Sequence, residues 1–195
     1  MRSTTLDYQA VLDFWFGAPT ADGYGKPQKF WFVKSLNTDA EIASLFTATY
    51  QAAANNLLAE WQCTAASCLA LTIVLDQFPR NIYRGTPKAF ATDNKALAIA
   101  KYALTQQYDR HLLPVQRWFL YLPFEHSEDI TEQKTSIELF ETLKNDPHSA
   151  NTIDYAHKHL KIIQRFGRFP HRNEILGRES TLEEIAFLKQ PGSRF

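Results

Sequence analysis

The sequence predicts an all-α fold, a stack of antiparallel helical hairpins that forms a single domain over residues 1–195. Three observations support this prediction. Apolar residues recur with the period of about 3.6 residues that is typical of helices, the alternation typical of strands is nowhere sustained, and the connections between helical segments are short. A chain of 195 residues is long enough to bury a substantial core.

Helical patterns follow one another along most of the chain. Four of them cover residues 5–16, 66–78, 129–143 and 152–166. Two others start at a predicted cap: one runs from Asp39 through Tyr50 and one from Asp93 to about residue 106. The remaining two start at Pro114 and at Thr181. The segment 66–78, ASCLALTIVLDQF, is apolar on nearly every side, so we expect it to be the central buried helix. Thr181 and Glu184 have the spacing of a capping box. Pro123 should kink or end the helix that starts at Pro114.

The charge balance and the cysteine content exclude several classes of function. Lys and Arg number 21 and so do Asp and Glu, so no overall field favours nucleic acid or a membrane surface. No apolar run approaches the roughly 20 residues that span a bilayer, and the N-terminal stretch does not have the pattern of a secretory signal. Two scattered cysteines, Cys63 and Cys68, are typical of a reducing compartment. We therefore expect a cytoplasmic protein that binds neither nucleic acid nor membranes.

Motifs for metal ions and nucleotide cofactors are missing from the sequence. There is no HExxH pattern, no GxxxxGK[ST] loop and no GxGxxG loop. His157 and His159 are two residues apart, which places them on different faces of a helix. His159 is in register with an apolar face, so we expect a hydrogen-bonded core histidine. The sequence indicates no metal and no cofactor, and it sets no expectation for the oligomeric state.

An arginine-rich segment, RFGRFPHRNEILGR, occupies residues 165–178. Arg165 and Arg168 lie at a predicted helix C-terminus, where cations complement the helix dipole. His171 and Arg172 follow a Phe-Pro pair that we expect to break the chain direction. The segment 78–81, Phe-Pro-Arg-Asn, has the same order after the predicted buried helix. Two similar arginine-bearing turns are therefore expected at two helix ends.

The partners of these arginines are the main question that the sequence raises. Asp76 ends the predicted buried helix, where burial and the helix dipole both disfavour a carboxylate. An arginine from one of the Phe-Pro turns would stabilise it, and the arginines would then brace the fold. The loop after Asp76 also carries Arg80, Asn81 and Arg84, and such donors bind external carboxylates or phosphates equally well. Both interpretations remain open at this point.

Glu125 and His126 form a second candidate pair. They follow Pro123, at the point where the predicted helix opens into a turn. Histidine titrates near neutral pH and a carboxylate can orient it, so the pair suits general acid–base chemistry. Adjacent residues on a helix point about 100° apart, so a purely structural role is the alternative.

Five stretches together resemble one protein family, the DUF924 proteins, which are bacterial and fungal domains of unknown function. These stretches are VLDFWFG (11–17), KFWF (29–32), LDQFPRNIYRGTPKAFATD (75–93), LPFEHSED (122–129) and RFGRFPHRNEILGRESTLEE (165–184). The resemblance implies an all-helical, tetratricopeptide-like fold. It implies no agreed reaction, substrate or catalytic residue.

Two hypotheses for the function follow, of which the sequence favours the first. In the first, the protein is a tetratricopeptide-like binding module whose groove grips the carboxylates of a protein or peptide partner, or another anion. In the second, it is an enzyme that acts on a small anionic metabolite, with arginine clamps and with His126 as an acid/base oriented by Glu125. The candidate ligand-binding residues are Arg80, Asn81, Arg84, Arg168, His171 and Arg172. Convergence of these side chains in space would favour the second hypothesis, whereas wide separation, or binding of all of them by internal carboxylates such as Asp76, would contradict it.

Overall fold

Helices form wherever the sequence carries an apolar period, and within residues 6–193, which the computed structural model describes, every regular element is helical. The α-helices are α1 (Tyr8–Phe16), α2 (Leu36–Ala54), α3 (Ala65–Asp76), α4 (Phe78–Ile82), α5 (Asp93–Thr105), α6 (Pro114–Glu125), α7 (Ile130–Glu141), α8 (Ala150–Phe166) and α9 (Leu182–Leu188). Short 3-10 turns cover Ala59–Cys63, Pro87–Phe90, Tyr108–His111 and Pro170–Arg172. The all-α prediction is confirmed.

Side-chain caps explain where several helices begin. The Thr181 hydroxyl accepts from the Glu184 backbone N–H, and the Glu184 carboxylate accepts from the Thr181 N–H, which confirms the predicted capping box of α9. The predicted Asp39 cap is wrong, because Ser35 caps α2 and places Asp39 in the first helical turn. Asp93 is likewise the first residue of α5 and not its cap. An acidic side chain favours the first turn for the same electrostatic reason that it favours the cap.

Two proline positions differ in their effect on the helices. α6 continues through Pro123 and ends at Glu125, so this proline lies in the last turn. Pro79 lies in the first turn of α4, where a missing N–H costs no helical hydrogen bond. Only Gln77 separates α4 from α3, so the predicted break at this Phe-Pro pair is a junction between two helices.

The core is built around α3, as predicted. Every residue of α3 from Ser67 to Asp76 is buried, and the helix packs against α1, α2, α5 and α6. Three alanines of α5 are fully buried, and their small side chains let the backbones of α3 and α5 approach closely: Ala96, Ala100 and Ala103. Trp15 and Phe119 meet edge to face in the same core, at 5.3 Å between ring centroids.

The later helices pack in chain order. α5 contacts α6, α6 contacts α7 and α7 contacts α8, while α9 contacts the 3-10 turn at Pro170–Arg172. None of the helices within residues 6–193 is long and apolar enough to cross a membrane. This packing brings the C-terminal ends of α3 and α6 close to the first turn of α5, where the polar site lies.

Candidate functional site

Asp76 lies at the end of α3 and is fully buried. Its carboxylate accepts hydrogen bonds from the Gln77 amide at 2.5 Å and from Arg80 Nη2 at 3.5 Å, and it lies 2.8 Å from Nδ1 of His126. Burial alone would raise the pKa of this carboxyl, but His126 and Arg80 outweigh burial and hold the pKa well below its usual range. Asp76 is therefore an ionised carboxylate that its own neighbours stabilise.

His126 is oriented by Asp76. An ionised carboxylate can only accept, so Nδ1 of the imidazole carries the proton that it donates to Asp76, and Nε2 keeps its lone pair. Burial and the charge of Arg80 lower the pKa of His126, and the nearby carboxylates only partly offset this effect. The imidazole is thus neutral, with a side chain that is 14% exposed.

The two Phe-Pro turns meet at the carboxylate of Asp93. Arg80 donates to Asp93 through Nη1 at 2.9 Å and through Nη2 at 3.2 Å. Arg172 donates to the same carboxylate from Nη1 at 3.3 Å. One carboxylate in the first turn of α5 therefore joins two arginines that are far apart in the sequence.

Arg172 has an unusual environment for an arginine. It is 7% exposed, and its Cζ lies 4.7 Å from the ring centroids of both Phe90 and Phe169. Burial and the charge of Arg80 lower the pKa of Arg172 to about 10, so the group stays charged at neutral pH. Its buried Nε has no hydrogen-bond partner within residues 6–193. We refer to Asp76, Arg80, Asp93, His126 and Arg172 as the central cluster.

Glu125 binds His159 of α8 and not His126. Its carboxylate lies 2.9 Å from Nδ1 of His159, which also lies 2.8 Å from the backbone oxygen of Tyr155. The structure therefore pairs His126 with Asp76 and Glu125 with His159, whereas the sequence suggested that Glu125 would orient His126. Both His159 and Glu125 are buried, as expected for a core histidine and its partner.

His171 lies beside the central cluster. Its ring centroid is 5.6 Å from that of Phe169. Burial and the adjacent Arg172 charge lower the pKa of His171 to about 3, so the imidazole is neutral.

The other candidate residues bind carboxylates of the protein itself. Arg84 donates to Asp39 at 2.6 and 2.7 Å, and Asn81 donates to the same carboxylate at 2.8 Å. Arg168 donates to both carboxylate oxygens of Glu184 and to the backbone oxygen of Glu179. These three side chains join neighbouring elements and do not reach the central cluster.

A family model that matches nearly the whole chain shows to which family the protein belongs. The family model described as "Bacterial protein of unknown function (DUF924)" matches residues 11–192. The chain belongs to the DUF924 family. It is also similar to the solved structure of a protein of unknown function from Agrobacterium tumefaciens, with 38% sequence identity and a TM-score of 0.83, over 93% of this chain and 96% of that one. A comparison with curated proteins found no match.

Three of the motifs that resemble DUF924 supply the central cluster. Asp76, Arg80 and Asp93 come from the stretch 75–93, His126 from 122–129 and Arg172 from 165–184. The expected meeting of Asp76 with an arginine of a Phe-Pro turn is observed. The arginine is Arg80, four residues further along the chain.

Sequence reasoning missed Asp93 and Phe90 in this DUF924 site. Asp93 was interpreted as a helix cap, and Phe90 carried no signal by itself. The available clue was the repeated order of a Phe-Pro pair followed by an arginine. Two similar turns can bind the same carboxylate when one lies between them in the sequence.

Metal-ligating side chains are not grouped in the part of the DUF924 chain that the structure describes. No set of three or more His, Cys, Asp and Glu side chains within residues 6–193 could hold a metal ion. Cys63 is exposed, Cys68 is buried, and both are free thiols.

Proposed function

We propose that the protein binds a small anionic ligand at the central cluster, and that it is an enzyme in which His126 transfers a proton to or from that ligand. Arg172 is the residue that grips the anion in this proposal. The observation that carries it is the mismatch between the burial of Arg172 and its few hydrogen bonds.

A guanidinium has five N–H donors, and a buried donor that lacks a partner destabilises the folded state. Arg172 is more than nine-tenths buried, yet within residues 6–193 its side chain makes one hydrogen bond, at 3.3 Å, to Asp93. Arg80, in contrast, donates to Asp76, to Asp93 and to the backbone oxygen of Ala89. The unused donors of Arg172 support an anion from outside as the missing partner.

The pair formed by Asp76 and His126 supports an acid/base role. A buried carboxylate that accepts from Nδ1 fixes the tautomer and leaves Nε2 as the base. Because the side chain of His126 is partly exposed, a ligand can reach it. This arrangement keeps the enzyme hypothesis but gives Asp76 the orienting role that was expected of Glu125.

The binding-module hypothesis has less support. Arg84 and Arg168, which would line a groove for an acidic protein or peptide, already bind Asp39 and Glu184. The sequential packing of α5 to α8 supports a tetratricopeptide-like arrangement. In solenoids of that type each repeat contacts only its neighbours, whereas α3 contacts helices from both halves of the chain.

The two free thiols agree with the proposed cytoplasmic location.

A thermal-shift screen against small carboxylates and phosphates tests the proposal. A ligand at ten times its Kd should raise the Tm by about 3–5 °C. The shift should disappear in Arg172→Gln and persist in Arg165→Gln, because Arg165 is an exposed arginine of the same segment that binds Glu183. No shift with any anion, or an equal shift in folded Arg172→Gln, would contradict the proposal.

A further inference from the structure

We infer that the ligand of the central cluster is a monocarboxylate and not a phosphate ester. This inference rests on the proposed function and narrows it to one class of substrate. Two features support it: the donors of Arg172 that lack a partner in the described part of the chain, which give the place of the anion, and the charge balance of the cluster, which favours a monoanion.

The part of Arg172 without a partner among the described residues is the edge formed by Nε and Nη2, and Nε is itself buried. Nη1 is occupied by Asp93, and the structure shows no partner within residues 6–193 for either of the other two nitrogens. Two N–H groups on one edge of a guanidinium match two oxygens of a carboxylate or of a phosphate, so this edge gives the place of the anion and the charge balance selects its class. Phe90 and Phe169 flank the guanidinium at 4.7 Å, so a ligand approaches it in its plane. A planar carboxylate fits such an approach.

The cluster carries no excess positive charge. The carboxylates of Asp76 and Asp93 balance the guanidiniums of Arg80 and Arg172. Nearby, Arg178 is bound by Glu128 at 2.7 and 2.9 Å, so this arginine does not add a free charge. A bound monoanion therefore leaves one negative charge to be compensated. A phosphate monoester carries a charge of about −1.5 to −2 at pH 7, so its binding leaves nearly two negative charges to be compensated.

One titratable group in the cluster can compensate one charge. His126 is neutral in the empty site, and it faces Asp76 of α3, Arg80 of α4, Asp93 of α5 and His159 of α8, with His171 nearby. If the ligand binds Arg172 and contacts Nε2 of His126, as the proposed function requires, its charge favours the imidazolium. A carboxylate would thus bind together with about one proton, whereas a dianion would still lack a counter-charge.

Isothermal titration calorimetry with matched probes tests this inference. Benzoate and phenyl phosphate share one ring and differ in the head group, and acetate and inorganic phosphate form a second pair without the ring. We expect each carboxylate to bind at least about tenfold more tightly than its phosphate counterpart. Titrations in buffers of different ionisation enthalpy should show uptake of up to one proton per carboxylate near pH 7.5, and the uptake should be lost in His126→Gln.

Arginine variants distinguish a failure of the carboxylate assignment from a failure of the proposed anion site. Arg172→Lys keeps the charge without the two-donor edge and should weaken benzoate binding about tenfold or more, while Arg165→Lys should bind like the wild type. Phosphates that bind as tightly as carboxylates, or more tightly, in an Arg172-dependent way would overturn the carboxylate assignment and leave the anion site standing. If no probe binds to the wild type, or if folded Arg172→Lys binds every probe normally, the proposed function fails as well.

Discussion

At the scale of single residues, the surroundings of each arginine decide what it can do. Arg165 and its partner Glu183 are both largely exposed, and such pairs contribute little to stability. Arg84 and Arg168 each have a bidentate carboxylate partner. Arg172 is buried, and most of its donors have no partner among the residues that the structure describes. The residue types of the site could be predicted from the sequence, but their burial could not, because burial depends on which helices pack together.

His171 yields a prediction about pH. Burial and Arg172 lower its pKa from 6.5 to about 3, so below about pH 6.5 the unfolded chain binds a proton that the folded chain does not. The free energy of unfolding therefore falls as the pH falls through this window. His171→Asn should make the fall between about pH 6.5 and 4.5 shallower, by up to about 1.4 kcal/mol per pH unit.

Urea unfolding followed by circular dichroism at several pH values measures this slope. The His171→Asn variant keeps a second source of the slope, because the pKa of His126 is also lowered. His148→Asn is the control, since this histidine is exposed, and its profile should follow the wild type. An unchanged slope in His171→Asn would show that His171 is not buried as a neutral imidazole.

At the scale of elements, the sequence predicted the helices with clear apolar periods and misplaced some of their ends. α3 and α8 lie within two residues of the expected bounds. The start of α2 was missed because Asp39 suits either the cap or the first turn, and Arg84 and Asn81 bind its carboxylate there. α4 was missed because Phe-Pro was interpreted as a break. A short helix tolerates proline in its first turn.

The start of α9 is a point where the cap should be measurable. This helix has seven residues, and its Glu184 binds Arg168 as well as the Thr181 N–H. Thr181→Ala removes the hydroxyl that accepts from the Glu184 N–H, and it should lower the free energy of unfolding by about 1 kcal/mol.

Thr131→Ala is the matched control for this substitution. Thr131 lies in the first turn of α7, and its side chain is exposed while Asp129 provides the cap. Its stability should stay within about 0.5 kcal/mol of the wild type. Equal losses in the two variants, measured by urea unfolding, would mean that the Thr181 hydroxyl does not cap α9.

At the scale of the whole molecule, one aromatic core supports elements that are distant in the sequence. Phe119 of α6 is fully buried and its ring meets those of Trp15, Phe16 and Trp31. The sequence predicted this stripe of α6 but not its partners. The central cluster has the same property, because its residues come from α3, α4, α5, the end of α6 and the turn after α8. Which of these ends meet is fixed by helix packing.

Phe119→Ala should therefore lower the free energy of unfolding by about 3–5 kcal/mol, since the cavity it leaves is surrounded by rigid rings. Phe32→Ala is the control, because Phe32 contacts the same ring and is 60% exposed. We expect it to cost less than about 1 kcal/mol. Similar losses in both variants under urea unfolding would contradict the assignment of Phe119 to the core.

The shared carboxylate of Asp93 has a consequence for how this protein can evolve. Replacing Asp93 alone leaves two neighbouring guanidiniums to repel each other, and replacing either Arg80 or Arg172 alone leaves the partly buried Asp93 carboxylate with one counter-charge fewer. A viable path away from this arrangement therefore needs compensating changes in segments that lie about eighty positions apart. Among natural variants, residues 80, 93 and 172 should be inherited as one set, so that a change at one of these positions is accompanied by a change at another.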